Sequence, residues 1–230
     1  MITPFSYKLA TKVWGLQTNR WLQAPSTGGC STLCLFWRVC PQNPIMKRFD
    51  RLDDGRYLGF EDGCVLQGLQ PAEKYSGSYE KLIKSITTFV SVEHQQRARQ
   101  QLFASLTVSW AVQNGDAHLK NFGILYDQPF GERYLAPAFD IVSTTPYLSQ
   151  DTPALTLAGK KAWGKLRFLE EFGRVRCGLS KSAVEDTFTQ VGQALEQVTV
   201  EMGNYIDNKP AFKDVGTKMQ EIFKGSQRLL

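Results

Sequence analysis

Asn114-Gly115-Asp116-Ala117-His118-Leu119-Lys120-Asn121 places five polar or ionisable side chains within eight residues, and the chain changes character on either side of it. Upstream, Arg97 to Val112 repeats apolar residues at helical spacing through Leu102, Phe103, Leu106 and Trp110, and Asn114-Gly115 breaks that helix. Downstream, Phe122 to Tyr126 and Tyr134 to Phe139 read as extended segments joined by Asp127 to Glu132, the pattern of a β-hairpin with a longer loop. An earlier helix is predicted from Tyr79, with Leu82, Ile83, Ile86 and Phe89 on one apolar face. The fold class is therefore α+β: a mainly helical lobe around a central hairpin.

The residue types in this stretch suit phosphoryl transfer. That chemistry needs a carboxylate to orient the attacking hydroxyl and accept its proton, an oxygen ligand for magnesium, and a positive group near the developing charge. Asp116 supplies the first, Asn121 the second, and Lys120 or His118 the third. The step from Asp116 to Asn121 is the D-x-x-x-x-N interval of a kinase catalytic loop. If the hairpin is centred near Phe130, position 121 lies across from position 140, about 5 Å away. Asp140 then joins Asn121 on one magnesium ion, a cation that takes one or two carboxylates besides phosphate oxygens and water. Singly, each residue has a plainer reading: Asp116 as a turn cap, His118 as a hydrogen-bonded core histidine, Lys120 as a solvated charge, Asp140 as a strand-end cap. Their joint occurrence carries the catalytic reading.

Further out, Leu33 to Cys40 reads as a buried strand and Ile45 to Asp50 as a second extended piece ending in the turn Asp53-Asp54-Gly55. Tyr7 to Trp14 is a first helix candidate. After Pro146 the chain returns to helices, Trp163 to Arg176 and then Ser180 to about Tyr205, the latter with Val184, Phe188, Val191, Leu195 and Val198 as its stripe. Ser182 and Glu185 have capping-box spacing at its start. The basic tail beyond Asn208 is expected to fray.

Hydrophobic residues at 42% and charged residues at 21% are ordinary for a globular domain, and 230 residues bury a core without staples. A net charge of +5 is mild and reads as solubility, with no direct nucleic-acid binding expected. The five cysteines are odd in number, and Cys30, Cys34 and Cys40 lack the paired spacing of a zinc site. Reduced, buried thiols follow. No run of about 18 apolar residues predicts a membrane span, and no charged-then-apolar signal opens the chain. A cytoplasmic location fits.

From about Tyr7 to about residue 200 the chain resembles the HipA toxins, serine/threonine kinases of bacterial toxin–antitoxin systems. The blocks that carry the resemblance are Arg48-Phe49-Asp50-Arg51, Glu61-Asp62-Gly63-Cys64 with Gln67 and Gly68, Pro71 through Lys74-Tyr75, and Gly77-Ser78-Tyr79. The loop 114–121, Leu135 to Asp140, Ala154 to Lys160, and Arg176-Cys177-Gly178-Leu179-Ser180 continue in the same order. The resemblance implies a protein-kinase-like C-terminal lobe using ATP and Mg2+, with Asp116 as catalytic aspartate and Asn121 and Asp140 as magnesium ligands. It implies His118 beside the nucleotide and Lys47 to Phe49 as the hinge against the adenine. Lys47 stands where the family often has an acidic residue. Implied partners are a HipB-like helix-turn-helix antitoxin and a protein substrate such as an aminoacyl-tRNA synthetase.

The resemblance divides the chain into a remnant of the N-terminal lobe and hinge (1–55), a catalytic lobe (56–205) and a basic tail (206–230). Only 46 residues precede Lys47, too few for a full N-terminal sheet, and Gly28-Gly29 is a poor phosphate cradle. The expectation is a truncated N-terminal sheet, with the phosphate loop and strand lysine supplied by a separate polypeptide or replaced by an unconventional nucleotide grip. The alternative is a degenerate lobe acting as a non-catalytic binding module. An aminoglycoside-type phosphotransferase shares the Asp/Asn/Asp logic, but the hinge and C-terminal blocks argue against it.

Overall fold

The computed structural model describes residues 48–230. The helix expected over Tyr7 to Trp14, the strand over Leu33 to Cys40, Lys47, and Cys30, Cys34 and Cys40 lie outside the described residues. Of the piece expected to be extended over Ile45 to Asp50, the described end, Phe49-Asp50, is a turn. The elements in chain order are β1 (Gly59–Asp62), α1 (Gly63–Leu66), α2 (Tyr79–Phe89), α3 (Gln95–Ala111), β2 (Gly123–Tyr126), β3 (Arg133–Leu135), α4 (Leu166–Glu171), α5 (Lys181–Asp207) and α6 (Lys213–Gln227). This is the α+β helical lobe that the sequence predicts, with one three-stranded antiparallel sheet in the order β1-β2-β3.

The hairpin forms, but its register differs from the predicted one. Ile124 faces Leu135, Leu125 faces Tyr134 and Tyr126 faces Arg133, because the turn closes at Gln128–Gly131 through the Gly131 N–H to the Gln128 carbonyl (2.9 Å). The axis therefore lies between Pro129 and Phe130, one residue earlier than a pairing of 121 with 140 needs, and Asn121 is not opposite Asp140 in the ladder. β3 stops at Leu135, and the chain reaches Asp140 through an irregular segment. β1 was not anticipated: Gly-Phe-Glu-Asp has little strand character, and its pairing with β2 from Gly59↔Tyr126 to Asp62↔Gly123 decides its state.

Helix ends follow their caps. The Ser78 hydroxyl accepts the Lys81 N–H at 3.2 Å and starts α2. α5 is capped by Ser180, which accepts the Ala183 N–H at 3.1 Å, not by the expected Ser182–Glu185 box; Glu185 faces Lys181 at 3.6 Å instead. The helix expected from Trp163 begins at Leu166. The Trp110 indole donates to the Gly164 carbonyl (3.1 Å) and the Trp163 indole to the Asp151 carbonyl (3.0 Å), holding residues 163–164 extended. α4 then runs into a π-helical turn, Phe172–Arg176.

Two apolar clusters meet at Trp110. The first joins Leu82 and Ile86 of α2, Leu102 and Phe103 of α3, Leu155 and Leu169, and takes in Leu119 from the loop 114–121. Fully burying such a side chain contributes about 1.5–3 kcal/mol, so Leu119 anchors the loop from beneath. The second joins the end of α3 to α5 and α6. The tail is thus a packed helix, correcting the expectation that it frays. Cys64 and Cys177 are buried free thiols, and burial pushes the Cys177 thiol up to about 12.

Gly63 ties the sheet to the loop. Its N–H donates to the Phe122 carbonyl at 2.8 Å, and a Cβ there would sit 2.6 Å from the Leu119 carbonyl oxygen. Backbone cannot yield as a side-chain tip does. Gly63→Ala is therefore expected to cost about 1–3 kcal/mol, the range for overpacking, read as a lower midpoint in urea denaturation. An unchanged midpoint would show that Gly63 and the loop do not pack this closely.

Candidate active site

Gln113 ends the helical run with a left-handed φ of 52°, and its carbonyl accepts both the Thr144 N–H (3.2 Å) and the Thr144 hydroxyl (3.1 Å). The same hydroxyl accepts the Gly115 N–H at 2.9 Å. Buried Asn114 accepts the Asp116 N–H through Oδ1 at 3.1 Å, and the Leu119 N–H reaches the Lys74 carbonyl at 3.0 Å. Backbone and neutral side chains therefore set the loop, leaving the Asp116 carboxylate free of structural duty.

That carboxylate is 42% exposed and accepts the Tyr75 hydroxyl at 2.6 Å. The hydrogen bond to a carboxylate, with burial behind it, pushes the Tyr75 phenol up to about 12. Beside it, buried His118 lies with Nε2 2.9 Å from the Lys74 ammonium. An ammonium only donates, so Nε2 accepts and the ring proton sits on Nδ1, a buried atom with no hydrogen-bond partner among the described residues. Burial lowers the His118 pKa from 6.5; Asp116 opposes this and Lys74 adds to it.

This neutral histidine has a consequence for stability. Its folded pKa is depressed, so below about 6.5 the unfolded chain binds a proton that the folded chain refuses, and stability falls as pH drops through that window. Chemical denaturation at stepped pH is expected to show this slope, reduced in His118→Gln. Equal slopes in both proteins would mean that His118 is readily protonated in the fold.

Asn121 and Asp140 come into contact despite the shifted hairpin. Asp140 adopts φ 55°, a left-handed conformation in which Asp is enriched, and its Oδ2 accepts from Asn121 Nδ2 at 3.0 Å. Asn121 Oδ1 accepts the His118 N–H at 2.9 Å. Oxygens sharing one magnesium lie within about 4.3 Å of each other. The pair is close enough, and one carboxylate with one carboxamide suits a hard cation. To offer its oxygen on the Asp140 side, the Asn121 carboxamide must turn over.

The remaining expected site residues fall elsewhere. Lys120 points its ammonium at Asp62, 3.3 Å from Oδ2, while Lys74 is the cation beside Asp116 and His118. Phe49 packs in a three-ring cluster with Phe60 and Phe139, its ring 5.3 Å from that of Phe139, the residue before Asp140. Lys47 is outside the described residues. Lys74 and Tyr75 were missed as site residues: no spacing ties positions 74 and 75 to 116 and 118, and only their place in the Pro71 to Tyr75 block marked them.

Comparison with known proteins bears on family and fold. The profile of the HipA-like C-terminal domain matches residues 35–199. Two curated proteins of Sinorhizobium fredii (strain NBRC 101917 / NGR234) are similar: "Putative kinase Y4dM", 31% identical over 122 residues, 53% of this chain and 29% of its own length, and "Putative kinase Y4mE", 28% identical over 178 residues, 71% and 42%. The chain thus spans less than half the length of these relatives. Among solved structures, HipA in the Shewanella oneidensis MR-1 complex of HipA, HipB and operator DNA matches with a TM-score of 0.60 at 15% identity, over 79% of this chain and 47% of that one. The Helicobacter pylori proinflammatory kinase CtkA matches at 0.50 and 14%, over 75% and 68%. At these identities the structural matches establish the fold, and the profile, covering most of the chain, establishes descent: this protein belongs to the HipA-like C-terminal domain family.

Proposed function

We propose that the chain is the catalytic lobe of a HipA-like protein serine/threonine kinase, which passes the γ-phosphoryl group of ATP to a serine hydroxyl. The observation that carries this reading is the Asn121–Asp140 contact at 3.0 Å, formed by a loop that also presents an exposed carboxylate at Asp116. When bound, Mg2+ supplies neutralisation of the phosphate charge, and Asn121 and Asp140 are the residues that would hold it. Asp116 orients the acceptor hydroxyl and takes its proton. The 2.6 Å contact from Tyr75 has the reach required of such a base. Lys74 holds His118 neutral and oriented beside Asp116. Lys120 keeps a proposed part in charge stabilisation only if it leaves Asp62. A HipB-like antitoxin is the proposed partner, on the strength of the HipA–HipB complex that the fold matches. The protein substrate, an aminoacyl-tRNA synthetase or another, is proposed from the family resemblance alone.

Calorimetric titration with ATP, with and without Mg2+, tests this reading. Binding is expected to require Mg2+, and Asp140→Ala is expected to weaken it by about tenfold or more, since each tenfold is 1.4 kcal/mol and a carboxylate–metal contact exceeds that. Failure to bind ATP in either condition would leave the binding-module reading standing.

A further inference from the structure

An apolar recess of about 50 Å3 lies between α3 and the segment leading into α4, walled by Leu106, Trp110, Leu157, Trp163, Phe168 and Leu169. Lys160 and Lys165 also line it. We propose that this recess docks an acidic segment of the phosphoacceptor protein, with one short aliphatic side chain of that segment filling it. The proposal rests on the kinase reading, for it names the class of polypeptide that the site receives.

Charge is the first argument. Lys160 and Lys165 line the recess, and Arg167 lies over Phe168, one of its walls. All three are exposed, and none forms an ion pair with a described carboxylate. Lys160 and Arg167 lie over the Phe168 ring, at 5.8 and 5.1 Å from its centre, so their stems extend the apolar floor while their charges stay available. A surface with this imbalance attracts an acidic partner and selects against a basic one.

Size is the second. One water needs roughly 10–15 Å3 of such space, so the recess admits about three or four non-hydrogen atoms, a valine or isoleucine side chain but not a nucleobase. The indole N–H groups of Trp110 and Trp163 are engaged with backbone carbonyls, fixing both rings as walls of the recess. A peptide therefore suits this surface better than a nucleic acid.

Continuity with the catalytic loop is the third. Asn114 lines the recess and accepts the Asp116 N–H. Asp151, whose carbonyl holds the Trp163 indole, packs its carboxylate so closely on Gly115 that a Cβ there would lie 2.0 Å away. The recess and the loop carrying Asp116 share a wall. A peptide anchored in one passes in front of the other.

The test is fluorescence anisotropy with the full chain and a short fluorescein-labelled peptide, in which an isoleucine is flanked by aspartates and glutamates with a serine nearby. The acidic peptide is expected to bind about tenfold or more tightly than a version with lysines in place of the acids. Replacing its isoleucine by glycine is expected to cost about tenfold. The double variant Lys160→Glu/Lys165→Glu, at two exposed positions, should reverse the charge preference with its circular dichroism unchanged. Affinity for the acidic peptide that ignores the double variant would overturn the proposal. So would a single-stranded RNA that binds more tightly than the peptide. Asp116→Asn should bind the peptide normally, which separates the two readings. Peptide binding by a chain that fails to bind ATP with Mg2+ counts against the kinase reading alone, and Mg2+-dependent ATP binding with charge-insensitive peptide binding counts against the docking site alone.

Discussion

Asp116→Ala is expected to reduce phosphoryl transfer by about 10² to 10⁴, the span that a positioned general base contributes, in any preparation where the wild-type chain transfers phosphate. The fold should survive, because the loop is held by Asn114, Thr144, Lys74 and buried Leu119, none of which uses the Asp116 carboxylate. Loss of activity with an unchanged unfolding midpoint is therefore the expected pair of results. A second readout reports on the geometry directly. The hydrogen bond to Asp116, with burial behind it, pushes the Tyr75 phenol up to about 12, so removal of that carboxylate should bring one tyrosine part of the way back toward its ordinary value of about 10. A difference titration by phenolate absorbance measures this without any substrate. Activity above about a tenth of wild type would remove Asp116 from the role of base. A normal tyrosine titration in the wild-type chain would remove the Tyr75 contact.

The Tyr75 contact also bears on how the site is used. On the proposed reading of Asp116 as base, a hydroxyl 2.6 Å from its Oδ1 stands where the acceptor hydroxyl would come, so the acceptor would have to displace the phenol. Tyr75 is 44% exposed and has room to leave. Its ring lies edge-on to His118, centres 5.2 Å apart, with the Lys74 ammonium 4.8 Å from its own centre. Displacing it therefore exposes the Lys74–His118 pair to the incoming chain.

The parts of this fold legible in the sequence are those with a local signature. The apolar periodicity of α2 and α5 places those helices within a few residues, since nothing but packing competes with it. The loop 114–121 is legible because its polar residues crowd between a helix and a strand. The contact between Asn121 and Asp140 was anticipated by a ladder argument, yet it arises through the left-handed backbone at Asp140, which no pattern announces. Long-range partners were hidden altogether. Lys74 lies 44 residues from His118, and β1 owes its state to β2. Lys120 looked like the site's cation because it sits in the motif, but Asp62, 58 residues earlier, captures it.

Phe223→Ala is expected to cost about 3–5 kcal/mol, the range for removing a buried phenylalanine, and so to take away about a fifth or more of a typical domain's 5–15 kcal/mol. A frayed basic tail predicts less than about 0.5 kcal/mol for the same change. The structure decides between these because Met219 and Phe223 are fully buried, in one cluster with Val198 and Met202 of α5. Gln220 adds a bond from its amide to the Thr199 carbonyl at 3.0 Å. The stripe Val215, Met219, Ile222, Phe223 has helical spacing, but Lys213, Asp214, Lys218, Glu221 and Lys224 alternate with it and give the segment the look of a solvated tail. Urea denaturation should show the midpoint falling with an unchanged slope, while Lys224→Ala, at an exposed position, should leave it in place. A small shift for Phe223→Ala would mean that α6 detaches in solution and that α5 covers the second cluster without it.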